Sequence, residues 1–243
     1  DITLIPVYTN MRFLGPEDDL DFWGTFWVNE YMGAAFSAIA HAFSKRFTLA
    51  FLSSDHDISN IYPFSSHPLI NPHYSSFNLR FELAITALSR FERSKLVSKW
   101  DLALQHLRVC NKPEYYSSEK LNCGQCEKCI RTMLALQILG VLEKASAFPV
   151  HTVTAEQIER CGPLEPNTFF FWSELIGPLR TQGQHELLEA VKQKIVHYDQ
   201  AAKRKHLRKS YIEPIINFDE KKFGGNIRKL KRVVYSKGIW TRH

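Results

Sequence analysis

Four cysteines lie within twenty residues of this 243-residue chain, with the spacing of a metal site. They are Cys110, Cys123, Cys126 and Cys129, and the last three recur at every third position. Structural zinc sites commonly take four cysteine thiolates in a tetrahedron, with zinc–sulfur distances of about 2.3 Å. Gly124, between two of the cysteines, can adopt the positive φ that turns both sulfurs toward one ion. The pattern therefore predicts a zinc site whose last ligand, Cys129, opens a helix.

Three other uses of these thiols remain open. A disulfide is disfavoured, because five cysteines without a secretion signal are typical of an intracellular protein, in which disulfides are rare. A redox pair does not need three cysteines in step and a fourth upstream, whereas an iron–sulfur cluster would use the same four ligands. Zinc is favoured among these, and zinc with four thiolates has no open position for water or substrate. We therefore predict a structural metal, with the chemistry located elsewhere in the chain.

Composition and charge narrow the class of protein. Hydrophobic residues make up 44% of the chain and aromatic residues 13%, as in a globular protein, and no apolar run approaches the length of about 18 residues that a membrane span needs. The net charge of +6 is uneven, since residues 201–243 hold thirteen Lys and Arg against three Asp and Glu. Such a tail suits a phosphate-rich partner such as nucleic acid, and a solvated helix face is the alternative.

Alternation of strand and helix patterns predicts an α/β fold. Residues 2–8 and 47–52 are short apolar runs of the kind found in buried strands, and residues 22–43 between them have a helical pattern. This order predicts an open, mainly parallel sheet with flanking helices, to which a four-cysteine zinc subdomain and a helical C-terminal extension are added. Ser53 and Ser54 follow the second strand. They are candidate binding residues, because open α/β sheets bind ligands beyond the carboxyl ends of their strands.

Two further polar groups are candidates for binding a small molecule. Ser66 and His67 lie in a loop with three prolines, although lone histidines more often have a structural role. Arg90 and Lys95 follow a capping-box pattern, S-x-x-E, which predicts a helix start at residue 89. Positive charge near a helix start suits a phosphate or a carboxylate.

The chain divides, on these patterns, into three parts. Residues 1–109 are predicted to form a partial nucleotide-binding α/β domain, which includes a further short strand at 77–82. Residues 110–145 form the zinc-binding segment and its helix. Residues 146–243 form a helical, basic extension with an amphipathic helix at 185–198.

The cysteine pattern resembles the zinc site near the C-terminus of 7-cyano-7-deazaguanine synthases, members of the PP-loop ATP pyrophosphatase (adenine nucleotide alpha hydrolase-like) superfamily. In this chain Cys110 is followed by Cys123-Gly-Gln-Cys126-Glu-Lys-Cys129, and Asn122 precedes the second ligand. Residues 88–97, Leu-Ser-Arg-Phe-Glu-Arg-Ser-Lys-Leu-Val, are similar to the L-T/S-K-x-E-I-V helix start of that family. The resemblance extends over roughly residues 1–145, and its specific part is the cysteine spacing.

One departure from the family concerns ATP. The phosphate-binding loop of the superfamily, S-G-G-x-D-S, is absent, and the glycines before Cys110 are the isolated Gly15, Gly24 and Gly33. Isolated glycines do not form the backbone nest that cradles a pyrophosphate. Because the sequence starts at Asp1 with an apolar run, we expect this loop on a preceding portion of the protein. Loss of ATP binding is the alternative.

The resemblance implies an ATP-dependent, AMP-forming ligase or amidating enzyme that acts on a small carboxylate or heterocycle, with ATP, Mg²⁺ and structural zinc. The general base is not identified. The rival hypothesis is a non-catalytic, zinc-stabilised scaffold or nucleic-acid-binding module that uses the tail at 201–243. We expect a cytoplasmic protein with no membrane partner, and self-association as a homodimer is left open. The residues that would line the implied site or hold anionic groups in it are Ser53, Ser54, Ser66, His67, Arg90 and Lys95.

Overall fold

A computed structural model describes residues 3–11, 22–53, 56–84, 86–110 and 120–207, together with a few scattered positions between 210 and 222. A π-helical segment, Phe22–Tyr31, leads into the first α-helix. The α-helices are α1 (Met32–His41), α2 (Arg90–Val97), α3 (Asp101–His106), α4 (Glu127–Ile138), α5 (Ala155–Arg160), α6 (Phe169–Ser173), α7 (Ile176–Thr181) and α8 (His185–Leu207). The strands are β1 (Leu49–Ser53) and β2 (Arg80–Ala84), and single 3₁₀ turns lie at Ile58–Asn60, Asn71–Tyr74 and Leu142–Lys144.

Strands β1 and β2 form a parallel pair. Leu49 lies opposite Arg80 at the start of the pair and Ser53 lies opposite Ala84 at its end, so both carboxyl ends meet at the same edge. The described residues therefore confirm a mixed fold of helices with a small parallel sheet. They do not extend it to the wider open sheet that the sequence predicts, since the sheet they contain has two strands.

The strand predicted at residues 2–8 is not formed over the residues that the structure describes there. Residues 3–10 have no strand conformation, and the side chains of Leu4 and Tyr8 are 89% and 94% exposed. A strand is stable only when a neighbour pairs with its backbone and covers its apolar face. The apolar pattern of this segment predicted a strand because pattern alone does not show whether such a neighbour exists.

The outer edge of β2 is covered by its own preceding loop. Ser75 Oγ accepts a hydrogen bond of 3.0 Å from the backbone N–H of Phe81, and the N–H of Ser76 donates to the carbonyl of Leu79. The N–H of Arg80, by contrast, donates to Thr48 beside β1. Backbone groups of β2 thus alternate between the partner strand and the loop.

Helix α1 approaches the polar loop closely at Gly33. The hydroxyl of Ser65 donates to the carbonyl of Val28 at 2.9 Å and accepts from the N–H of Gly33 at 3.1 Å. A Cβ at position 33 would lie 2.1 Å from the carbonyl oxygen of Ser65. Only glycine therefore fits this crossing without displacing backbone.

The helix start that the capping-box pattern predicts at residue 89 is confirmed. The Ser89 hydroxyl accepts from the N–H of Glu92, whose carboxylate accepts from the N–H of Ser89 at 2.9 Å. Thr154 and Gln157 make the same reciprocal bonds at the start of α5. These bonds satisfy backbone donors that the first turn of a helix leaves unpaired.

The chain forms two compact units. The first comprises residues 1–124 and 131–152, and the second comprises residues 125–130 and 153–243. The predicted division at 109 and 145 stays a prediction. Within the part of the chain that the structure describes, no helix has both the length and the apolar character of a membrane span.

The second unit is built around its longest helix, α8. The fully buried side chains of this unit include those of Trp172, Leu175, Leu179 and Val191. Helix α8 was predicted at 185–198 from its amphipathic pattern, and the structure extends it to Leu207. The core of this unit is therefore helical, as a C-terminal helical extension requires.

We predict that Gly33→Ala lowers the free energy of unfolding by about 2 kcal/mol or more, because the new Cβ forces α1 away from the loop carbonyl. Gly177→Ala is the matched control, since this helical glycine has open space around it. The control should change stability by less than about 1 kcal/mol, in the direction that favours alanine. Urea unfolding of both variants measures the difference. Equal stability of the two variants would show that the close approach at Ser65 is not rigid.

Candidate metal centre

The four predicted cysteines converge. The sulfur atoms of Cys110, Cys123, Cys126 and Cys129 all lie within 4.8 Å of one another, and all but the third of these residues are buried. Ligands from four positions of the chain thus meet at one point, although the first two are thirteen positions apart. This cluster could hold a metal ion.

Local backbone geometry brings the last three sulfurs together. Gly124 has a φ of +70°, and a Cβ there would lie 2.6 Å from the ring of Pro149. The turn ends in α4, where the N–H of Ile130 donates to the carbonyl of Cys126. This first helical turn places the sulfurs of Cys126 and Cys129 3.4 Å apart. The glycine and the helix start are the two features that the sequence pattern predicts for such a site.

Asn122 fixes the first ligand relative to the second. Its side chain is 1% exposed, and its Oδ1 accepts from the backbone N–H groups of Val109 and Cys110 at 2.9 and 3.1 Å. Its Nδ2 donates to the carbonyls of Leu107 and Ala147 at 2.7 and 3.1 Å. The buried side-chain amide of Asn122, the residue before Cys123, therefore holds the loop segment that carries Cys110 close to Cys123.

The donor set determines what the cluster can do chemically. Four thiolates fill the coordination shell of a tetrahedral ion, so no position remains for a substrate. A cysteine thiol must lose its proton to become a metal ligand, and a bound metal ion would compensate the negative charge of the resulting thiolates. The cluster is therefore suited to stabilising the fold.

The fifth cysteine, Cys161, lies outside the cluster. It is buried at the end of α5, and its Sγ donates to the carbonyl of Ile158 at 3.3 Å. Burial raises the pKa of its thiol above the ordinary value of 9.0, and the nearby ammonium of Lys194 offsets part of this increase. A protonated, buried thiol of this kind is chemically inert.

Lys194 is a buried cation whose side chain joins α8 to the end of α5. Its Nζ donates to the carbonyls of Ile158 and Gly162 at 2.8 and 2.5 Å, and it lies 5.4 Å from the centre of the Trp172 ring. The indole N–H of Trp172 donates to Glu127 at 2.7 Å. These contacts satisfy carbonyls at the C-terminal end of α5, which the helix leaves unpaired.

The candidate substrate residues have separate local surroundings. Ser53 ends β1, and Ser54 lies outside the described residues. Ser66 and His67 belong to a turn held by the buried Asn71, whose Nδ2 donates to the Ser66 hydroxyl at 3.0 Å and whose Oδ1 accepts from the His67 N–H at 3.1 Å. These hydrogen bonds give both residues a role in the shape of the loop.

The two candidate cations lie at opposite ends of α2. Arg90 is its first residue, whereas Lys95 lies in the last turn with its ammonium 5.1 Å from the centre of the Phe91 ring. Both were expected near the helix start, and the structure corrects this for Lys95. A lysine in the last turn complements the negative end of the helix dipole.

A contact between Arg93 and His56, which the sequence did not predict, connects α2 to the segment after β1. The guanidinium of Arg93 donates to the carbonyls of Leu88 and His56 at 3.0 and 3.3 Å. His56 is 5% exposed, and the N–H of Ile58 donates to the carbonyl of Thr86 at 2.8 Å. The start of α2 thus adjoins the carboxyl ends of both strands. A basic residue after a capping box was the available sequence signal, but its partner is 37 positions away.

Comparison with known proteins gives this chain no relatives. No family model, curated protein or solved structure matches it.

Replacement of Asn122 by alanine should weaken metal binding. The two N–H groups around Cys110 and the carbonyls of Leu107 and Ala147 would lose their partner, so we expect a 10- to 100-fold loss of affinity, the range of about one to two decades that outer-shell partners contribute. Titration with Co²⁺, followed by its absorption in thiolate coordination, measures the affinity. Asn78→Ala, at an exposed asparagine, is the control and should bind as the unmodified chain does. Unchanged affinity in the Asn122 variant would mean that the cluster forms without this support.

Cys161 should resist alkylation in the native protein and react in the unfolded protein. Because its pKa is raised in the folded state, the unfolded thiol ionises first, and stability is lost as pH rises above 9.0. Labelling with iodoacetamide at pH 8 and mass spectrometry measure the reactivity. Cys161→Ala should show a flatter loss of unfolding free energy between pH 8 and pH 10. Rapid native labelling of Cys161 would contradict its burial.

Proposed function

We propose that the metal is zinc and that its role is structural. Four thiolates around an ion with bonds of 2.3 Å have sulfur–sulfur separations of roughly 3.8 Å in a tetrahedron. The separation of 3.4 Å between Cys126 and Cys129, and the limit of 4.8 Å over the whole cluster, are compatible with that geometry. An iron–sulfur cluster uses the same ligand type, so elemental analysis decides between the two. One zinc per chain without iron is the expected result, and iron with labile sulfide would refute the proposal.

We propose further that the chain serves a 7-cyano-7-deazaguanine synthase-like, ATP-dependent ligase that forms AMP. The convergence of four cysteines with this family's spacing is the observation that carries the proposal. The parallel pair supports it, since β1 and β2 end together next to the start of α2. In open α/β proteins this edge of the sheet is where nucleotides and substrates bind.

The proposed reaction has two steps. A carboxylate or carbonyl oxygen of the substrate attacks the α-phosphate of ATP and releases pyrophosphate, and a nitrogen nucleophile then displaces AMP. Mg²⁺ would neutralise the phosphates. The S-G-G-x-D-S loop is absent from the 243 residues, so this proposal requires that another part of the protein hold the pyrophosphate. In this proposal the chain contributes two features to the binding site: the edge of the sheet at Ser53 and the positive charge of Arg90.

Exchange of labelled pyrophosphate into ATP tests the first step. The assay uses the complete product of the gene that encodes these residues, with candidate carboxylates and heterocyclic bases. Arg90→Gln should lower the exchange rate by about tenfold or more, which is the size of one lost charge-assisted hydrogen bond. Arg46→Gln, at an exposed arginine outside this edge, should not change it. Absence of exchange with every substrate would eliminate the ligase.

A nucleic-acid-binding module is the second candidate, and the charge distribution favours it. Residues 201–243 carry a net charge of +10, whereas residues 1–200 carry −4. Most of that tail lies outside the described residues, and its net charge is what supports this role. Filter binding of tRNA at several salt concentrations provides the test. A binder that neutralises phosphates loses affinity with a slope of about −0.7 to −0.9 per phosphate in a plot of log K against log salt, and a flat plot would eliminate this role.

A further inference from the structure

The second unit contains a cavity that neither proposed function uses. Its volume is about 740 Å³, and its walls are the C-terminal end of α5, the turn after it and one face of α8. Small-molecule sites in proteins have volumes of about 300–1,000 Å³. The cavity is therefore large enough for a ligand of moderate size.

One wall of the cavity is held rigidly. Lys194, which is 7% exposed, fastens α8 to the carbonyls of Ile158 and Gly162 through the two hydrogen bonds described above. Gly162 has a φ of +102°, which fixes the turn between them. A wall with these constraints is formed before any ligand arrives, so binding does not need to order it.

The lining has an apolar part and a cationic part. Pro163, the nearly buried Leu164 and the ring of Tyr198 supply apolar surface, and Tyr198 is itself held at 5.2 Å from the ring of Phe169. Arg160 and His197 lie at the exposed margin. An apolar wall with a few polar groups at one side is typical of a site for an amphipathic ligand.

Charge at the cavity favours an anion over a cation. Arg160 and Lys194 contribute two positive charges against one carboxylate, that of Glu159. The guanidinium of Arg160 pairs with Glu156 at 2.7 Å, but both side chains are exposed, at 79% and 66%. Such surface pairs are weak, so the guanidinium can turn toward a ligand at little cost. A carboxylate would then gain the two parallel hydrogen bonds that arginine donates.

We propose that this cavity binds a small aromatic or aliphatic carboxylate, with its apolar body against Leu164 and Tyr198 and its carboxylate at Arg160. The site lies wholly in the second unit and is independent of the ligase and of the nucleic-acid-binding proposal.

An NMR titration of the full, metal-loaded chain tests the site. Indole-3-carboxylate and its uncharged counterpart indole-3-carboxamide are the first pair of probes, and benzoate and benzamide are the second. The expected result is saturable shifts confined to residues 159–164 and 193–201, with the carboxylate binding about tenfold more tightly than the amide because of its charged hydrogen bonds.

Three variants make the test specific. Arg160→Gln should remove the preference for the carboxylate, and Arg180→Gln, at an exposed arginine of α7, should retain it. Ala201→Trp, at an exposed lining position, should fill the cavity and abolish binding of both members of a pair. Their native spectra establish that each variant is folded. Equal affinity for acid and amide, shifts at other residues, or no saturable binding of either pair would each overturn the proposal.

Discussion

Four sulfur atoms that lie within 4.8 Å of one another constrain the conformation of the segments that carry them. If the thiols ionise, their negative charges repel one another strongly at such separations, and the cluster is stable only when a cation compensates them. If the cluster holds a metal ion, the free energy of binding that ion adds to the free energy of folding of the segments that carry the cysteines. This coupling explains why a buried amide, that of Asn122, and a glycine with positive φ, Gly124, lie next to the cysteines.

Asn122 and Gly124 support the cysteine cluster in different ways. The glycine gives the backbone the turn that a side chain at its position would prevent, because Pro149 occupies the space of a Cβ. The asparagine uses both ends of its amide to bond groups from two loop segments, residues 107–110 and Ala147. Without it, four backbone groups near the ligands would be left without this partner, and buried unpaired groups cost about 1–3 kcal/mol each. The arrangement of the four cysteines thus depends on Asn122 and Gly124, which are not themselves candidate ligands.

Sequence patterns predicted those features that depend on neighbours close along the chain. The cysteine spacing, the capping box at Ser89 and the start of α4 are local, and the structure contains all of them. Features that depend on distant partners were missed. The contact of Arg93 with His56 and that of Lys194 with Ile158 join residues more than thirty positions apart, and no period or motif marks them. The strand expected at residues 2–8 is not formed over residues 3–8 for a related reason: an apolar pattern does not encode the neighbouring strand that must pair with it.

The hydrogen bond from Phe81 to the hydroxyl of Ser75 has a consequence for solubility. An edge strand with unpaired N–H groups offers a template on which another molecule can add a strand, which is how many proteins begin to aggregate. The loop that precedes β2 folds back and occupies one of those groups itself. A small parallel pair with exposed apolar side chains such as Phe51, which is 60% exposed, would otherwise invite such pairing. One serine hydroxyl therefore helps to keep the edge of this sheet from recruiting a second molecule.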